Sequence, residues 1–163
     1  MGCACKKDIP DYPGTEDWGP LMWKILHSLA EKAGSSKSLQ EEEREWNRLL
    51  MLTADILPCP VCKKHYKEVF HAFPIAPVLK MSAANANIFL RTWLWTLHNE
   101  VNVGNGKPDL PFADLSTLYG STDIRDTYWR LDPVMKLAIE KSGVGYISWQ
   151  KWTASYKMLY SLY

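Results

Sequence analysis

Residues 46–73 read WNRLLMLTADILPCPVCKKHYKEVFHAF, and the fold turns on this stretch. Trp46, Leu49, Leu50, Thr53 and Leu57 recur at the three- to four-residue interval of one helical face. Pro58 ends that helix, because the residue before a proline is pushed out of the α region. Cys59 then stands at the start of a second helix, with Pro60 at its first position and Val61, His65, Val69 and Phe73 following along it. The Cys-x-x-Cys pair thus sits at a break between two helices. A thioredoxin-like site would place it after a β-strand, and the helical pattern before Cys59 speaks against that.

The same period extends in both directions, with no run of two-residue alternation. Upstream, a helix beginning near Pro20 carries Leu21, Met22, Ile25, Leu26, Leu29 and Ala33 on its apolar face and stops at Gly34. Ser38 with Glu41 reads as a capping box opening the next helix. Downstream, a helix from about Ser82 to Val103 buries Phe89, Leu90, Trp93, Leu94, Leu97 and Val101, and Asn105-Gly106 marks a turn. Residues 108–131 read as irregular. Two further helices are expected, from Asp132/Pro133 to Ser142 and from Ser148 to about Tyr160. The expectation is an all-α fold: a four-helix unit followed by a C-terminal helical extension.

The chain has 163 residues, which fits one domain, and 47% hydrophobic residues, which is ample for a core. Nineteen basic against eighteen acidic residues leave a net charge of +1, which argues against nucleic acid as a partner and against an acidic disordered tail. Residues 1–20 have no apolar core, so no signal peptide is read, and no apolar run approaches a membrane span. The Met1-Gly2-Cys3 start resembles an acylation signal, but Lys6 stands where Ser or Thr would be needed. A cytoplasmic, reducing location is expected.

Four cysteines are too few for a disulfide scaffold. They form two close pairs, Cys3-Ala4-Cys5 and Cys59-Pro60-Val61-Cys62. At a helix N-terminus unpaired N–H groups favour a thiolate, so the second pair suits thiol–disulfide exchange. A zinc half-site is the competing reading, completed by Cys3 and Cys5 or by His65 with a distant partner; no metal is expected. Further along, Trp95, His98, Asn99 and Asn102 make a polar stripe beside the apolar one, either a solvated face or the lining of a planar heteroaromatic cofactor. A colourless helical adaptor is the third reading.

Three ordered segments narrow the choice. Trp23-x-x-Leu26-His27, Pro58-Cys59-x-x-Cys62-x-x-His65, and Trp93 through His98-Asn99-x-Val101-Asn102 to Gly106-Lys107-Pro108 together resemble the FAD-linked sulfhydryl oxidases, including those of large DNA viruses. The resemblance spans residues 19–108. It implies four helices plus a short fifth holding FAD, within an oxidase unit at 19–110. An N-terminal arm (1–18) would precede it and a C-terminal extension (111–163) would follow, packed on the core or at a subunit interface. It implies Cys59 and Cys62 as the catalytic pair, Cys62 nearer the flavin and Cys59 exchanging with incoming thiols. Gly19, Trp23, His27, His65, Trp95, His98, Asn99, Val101, Asn102 and Lys107 are implied as cofactor-binding, and Cys3 and Cys5 as a shuttle pair. Protein thiols as substrates, O2 as acceptor and a homodimer follow from the same resemblance. The chain departs from the family in lacking any cysteine after Cys62, where a structural pair is expected, and in an aromatic replaced by Leu110. The missing pair and the added segment look most like a viral, iridovirus-type member.

Overall fold

A computed structural model describes residues 9–163. Among them there are seven α-helices, two short 3₁₀ turns and no strand: α1 (Thr15–Lys32), α2 (Leu39–Ile56), α3 (Pro60–Ala72), α4 (Ala83–Gly104), α5 (Leu115–Tyr119), α6 (Ile124–Glu140) and α7 (Tyr146–Ser161). The pair Cys3 and Cys5 lies outside the described residues. No helix among those described is long and apolar enough to cross a membrane.

α1 begins at Thr15, earlier than its proline suggests. The Gly14 N–H is capped by Asp17 Oδ2 at 2.7 Å, and the acidic first turn favours the positive helix end. Trp18 is buried on the same face as Met22, Ile25 and Leu26, so packing extends the helix upstream and Pro20 is accepted inside it. α2 starts after Ser38 as expected, but without the expected capping box: the Ser38 side chain makes no cap bond. Glu42 reaches back instead, its Oε1 accepting the Gly34 N–H at 2.7 Å. Gly34 has φ +83°, and a Cβ there would press against the Ala83 carbonyl, so this turn needs glycine twice over.

α3 does not present Val61, His65 and Phe73 to the core. Its buried residue is Tyr66, four after Cys62, while Val61 and Phe73 are exposed.

α4 packs on α1, and α2 on α3. The later elements close the core. α6 lies along α1, and α7 along α2. α6 starts at Ile124, with Asp123 Oδ1 accepting the Asp126 N–H at 2.8 Å. The expectation of a start at Asp132/Pro133 fails because Pro133 sits inside this helix. On α7, Trp149, Trp152, Tyr156 and Leu159 are all buried within the chain, so this stripe is core and not a free surface for a second subunit. Trp152 is fully buried; its Nε1–H donates to Thr53 Oγ1 at 2.9 Å, and Ser155 donates to Glu45 at 2.9 Å.

Candidate active site

The break between α2 and α3 delivers the cysteines. Pro58 and Pro60 flank Cys59, which occupies the N-cap of α3, and the Cys62 N–H donates to Cys59 Sγ at 3.1 Å. Cys59 and Cys62 form a disulfide, their Cα atoms 5.1 Å apart. The helix N-terminus therefore points its polar end at the sulfurs, which stabilises a thiolate released when the bond opens. The two cysteines have different surroundings. Cys59 is 1% exposed, whereas Cys62 is half-buried and lines a cleft.

That cleft has a volume of about 550 Å³ and lies between α1, α3 and α4, with Tyr119 of α5 reaching in. Such a volume is in the range of sites for cofactors and drug-sized ligands. Of the residues expected to bind a cofactor, Gly19, Trp23, His65, His98, Val101, Asn102 and Lys107 line it. Lys107 is the sole lysine or arginine among its lining residues. A Trp18 indole N–H is buried at this wall with no partner among the described residues.

The floor is a stack of rings. His98 lies on Trp23 with centroids 4.1 Å apart and planes 8° apart. Its Nδ1 is 3.0 Å from His27 Nε2, and Tyr119 stacks on His27 at 4.6 Å. His27 is thus beneath the cleft, touching it through His98. Burial lowers the His27 pKa to about 3, helped by the neighbouring His98 and Arg91. Burial and then the Lys107 charge lower His98 to about 4. Both imidazoles are neutral at pH 7, so one N–H is shared between the facing nitrogens and the plane over Trp23 is held rigidly.

The depressed values carry a stability consequence. An unfolded histidine takes its proton near pH 6.5, whereas folded His27 resists it, so acid favours the unfolded chain. Stability is fully present above pH 6.5 and is lost below it. Counting His27 alone, lowering the pH from 7 to 4.5 removes about 2–3 kcal/mol. Urea denaturation at the two pH values checks this: His27→Leu should shrink the difference and leave the part due to His98, and an equally steep loss in that variant contradicts it.

Two expected cofactor contacts are placed elsewhere. Trp95 Nε1–H donates to the Leu110 carbonyl at 2.6 Å. Asn99 holds the same residue at both ends, Nδ2 donating to its carbonyl at 3.0 Å and Oδ1 accepting its N–H at 2.7 Å. Neither lines the cleft. Both pin the loop that carries Lys107, and Phe112 packs edge-on against Trp95 at 5.7 Å. In a chain without a second cysteine pair after Cys62, these side chains fasten the loop together with backbone bonds such as the Lys107 N–H to the Asn102 carbonyl at 2.8 Å. Arg91 extends the fastening, paired with Glu31 at 2.8 Å, donating to Ser116 at 3.0 Å and lying over the Phe112 ring.

Tyr66, Thr53, Leu57 and Tyr119 also line the cleft and were not anticipated. The four-residue step from Cys62 points to Tyr66. Tyr119 had no such signal, lying in a segment that reads as irregular. Among the described residues no group of three or more His, Cys, Asp or Glu is placed to hold a metal ion.

Fold and site together define an all-helical protein with a Cys-x-x-Cys disulfide whose Cys62 lies in the wall of a cofactor-sized cleft. The chain belongs to the Erv1/Alr family, whose pattern it matches over residues 20–122. It is 30% identical over 119 residues to the FAD-linked sulfhydryl oxidase ERV1 of Oryza sativa subsp. japonica, covering 72% of this chain and 57% of the relative. The protein of the same name from Arabidopsis thaliana is 27% identical over 118 residues, 72% of this chain and 58% of its own. A viral relative, the "Putative FAD-linked sulfhydryl oxidase 088R" of Frog virus 3 (isolate Goorha), is 29% identical over 109 residues, 66% of this chain and 69% of the relative. The chain therefore spans less than two thirds of the length of the two plant relatives. No solved structure matches it.

Proposed function

We propose that the chain is an FAD-dependent sulfhydryl oxidase that makes disulfides in protein thiols and passes the electrons to O2. One observation carries the reading: Cys62 of the Cys59–Cys62 disulfide lies in the wall of the same cleft as the Trp23–His98 plane.

The cleft fits the cofactor chemically. The flat ring floor suits an isoalloxazine or adenine, Asn102 and His65 offer hydrogen bonds, and the buried Trp18 N–H has an unused donor. Lys107 suits the pyrophosphate as a charge-assisted contact. Held there by the Trp23–His98 floor and Lys107, FAD would supply the two-electron acceptor for the reduced cysteine pair and the route from it to O2 and H2O2.

The protein's own part is thiol–disulfide exchange. Cys59 is 1% exposed while the disulfide is closed, so the Pro58–Pro60 turn must move to uncover it; a substrate thiolate then attacks Cys59 Sγ, the Cys59–Cys62 bond breaks, and Cys62 leaves as a thiolate in the cleft wall. A second substrate thiolate attacks the substrate sulfur of the mixed disulfide and releases Cys59. Substrate loses two electrons and two protons and gains a disulfide. Cys3 and Cys5, beside Lys6 and Lys7, act as a relay pair between bulky protein thiols and Cys59. Homodimerisation belongs to the same reading and uses a surface other than the buried α7 stripe.

Oxygen uptake with dithiothreitol tests the activity: uptake with matching peroxide supports it, and none in protein holding FAD contradicts it. Lys107→Met should weaken retention of FAD about tenfold, the loss of one charge-assisted contact, without altering the fold. Fluorescence titration of the stripped protein with FAD reads this directly. Unchanged affinity removes Lys107 from the cofactor site.

A further inference from the structure

The two sulfurs of the disulfide have different neighbours. Cys62 belongs to the cleft, whereas Cys59 is joined to Pro60, which opens a smaller groove on the outer side of α3. That groove has a volume of about 360 Å³ and is lined by Pro60, Lys63, Lys64, Lys67, Glu68 and His71. Their spacing by three and four residues places all six on one helical stripe. Cys62, His65 and Tyr66 lie on the opposite side of the helix and line the cleft, so α3 stands between the two sites.

The outer stripe is basic. It carries three lysines within five residues against one acid, Glu68, in a chain whose net charge is only +1. Lys67 pairs with Asp55 of α2 at 3.2 Å and Lys64 with Glu68 at 3.9 Å. All four side chains are about half exposed or more, so water weakens both pairs and an incoming carboxylate can take the place of either acid. The stripe also starts at the reacting residue: the Lys63 N–H donates to the Cys59 carbonyl at 2.9 Å, one helical turn away. Pro60 belongs both to the groove and to the turn that must move to uncover Cys59, so a chain lying in the groove is beside that sulfur when it opens.

We propose that this basic stripe of α3 is the docking surface for thiol chains that reach Cys59 directly, and that it selects cysteines flanked by Asp or Glu. This rests on the reading of the chain as a sulfhydryl oxidase with Cys59 as the exchanging residue. The attacking species is a thiolate, which is itself negative, and carboxylates on the same chain add to its attraction. An acidic segment is drawn by Lys63, Lys64 and Lys67 together, whereas a basic segment meets like charge. The effect is on encounter, so it is read in kcat/KM and fades as salt screens it over roughly 10 Å at 0.1 M.

Docking adds no chemical step. The docked thiolate attacks Cys59 Sγ, the Cys59–Cys62 bond breaks, and Cys62 takes the electron pair. The second thiolate of the same chain then attacks the substrate sulfur, closing the substrate disulfide and freeing Cys59. Two electrons and two protons leave the substrate. The two faces of α3 thereby divide the work, the outer one receiving the thiol and the inner one facing the cofactor cleft.

The test uses the full FAD-loaded chain carrying Cys3→Ser and Cys5→Ser, so that exchange takes place at Cys59 alone. Its substrates are two dithiol peptides of equal cysteine spacing, one flanked by glutamates and one by lysines several positions away, with dithiothreitol as the uncharged control. The readout is the ratio of the two kcat/KM values, which a general loss of activity or a shift in thiol reactivity leaves unaltered. The acidic peptide should be favoured about tenfold in dilute buffer, and the ratio should approach unity at about 0.5 M salt. Lys64→Gln with Lys67→Gln should shrink the ratio, and Lys64→Glu with Lys67→Glu should invert it. If dithiothreitol is oxidised but the peptides react equally, or the charge-reversed variant keeps the original ratio, the docking surface is overturned and the oxidase reading stands. If protein holding FAD oxidises neither dithiothreitol nor the peptides, the oxidase reading falls and the docking surface with it.

Discussion

Cys62→Ser should abolish oxidation of every thiol, with turnover falling at least about a thousandfold, while FAD remains bound and the fold intact. The loss is this large because no other described cysteine lines the cleft, so electrons reaching Cys59 have no route onward. A serine oxygen cannot form the disulfide whose opening is the chemical step. In the variant Cys59 is a free thiol and should form a mixed disulfide only with an added disulfide such as oxidised glutathione, one glutathione leaving as the thiolate, while the position-62 N–H is kept to cap it. Stopped-flow absorbance and peroxide assay check the two halves. A variant that still turns over would place the reacting sulfur elsewhere.

The second large effect concerns stability. Trp152→Ala should cost about 3–5 kcal/mol, the range for removing a fully buried aromatic side chain. Trp152 is enclosed, stacking on Trp149 at 5.2 Å and on Tyr156 at 5.7 Å, and it satisfies Thr53, which lines the cleft. Its loss would open a cavity between α7 and α2 and leave Thr53 without that donor. Against a total of about 5–15 kcal/mol for a typical domain this is severe. Urea denaturation measures it. The exposed Trp129→Ala should change stability by no more than about 0.5 kcal/mol. Equal effects for the two would show that α7 is not part of the core.

Much of this was readable because local signals and packing agreed. In α2 and α3 the apolar period, Pro58 and Pro60 place the helix break on Cys59, and the structure places it there. α6 shows the opposite case. Pro133 reads as a first-turn residue, but the cap at Asp123 and the burial of Ile124, Thr127 and Tyr128 start the helix upstream and enclose the proline. Local rules cannot weigh that, because the decisive contacts are with α1. The site divides in the same way. His98 and Trp23 come together as their helices dictate, whereas Trp95 and Asn99, on the same helix, turn to Leu110. Only the path of the loop after Lys107 decides between those fates, and a helical period says nothing of it. Tyr119 is distant in sequence from the His27 ring it touches, and no spacing announces it.

Anaerobic reduction of the purified protein shows whether electrons pass from thiols through Cys62 to a bound flavin. The expected result is a yellow protein whose flavin absorbance bleaches with dithiothreitol in the absence of air, returns on admitting air, and yields peroxide in proportion. Bleaching should disappear in Cys62→Ser while the yellow colour stays. A flavin that dithiothreitol bleaches equally well without Cys62, or a protein that binds no flavin at all, would contradict it.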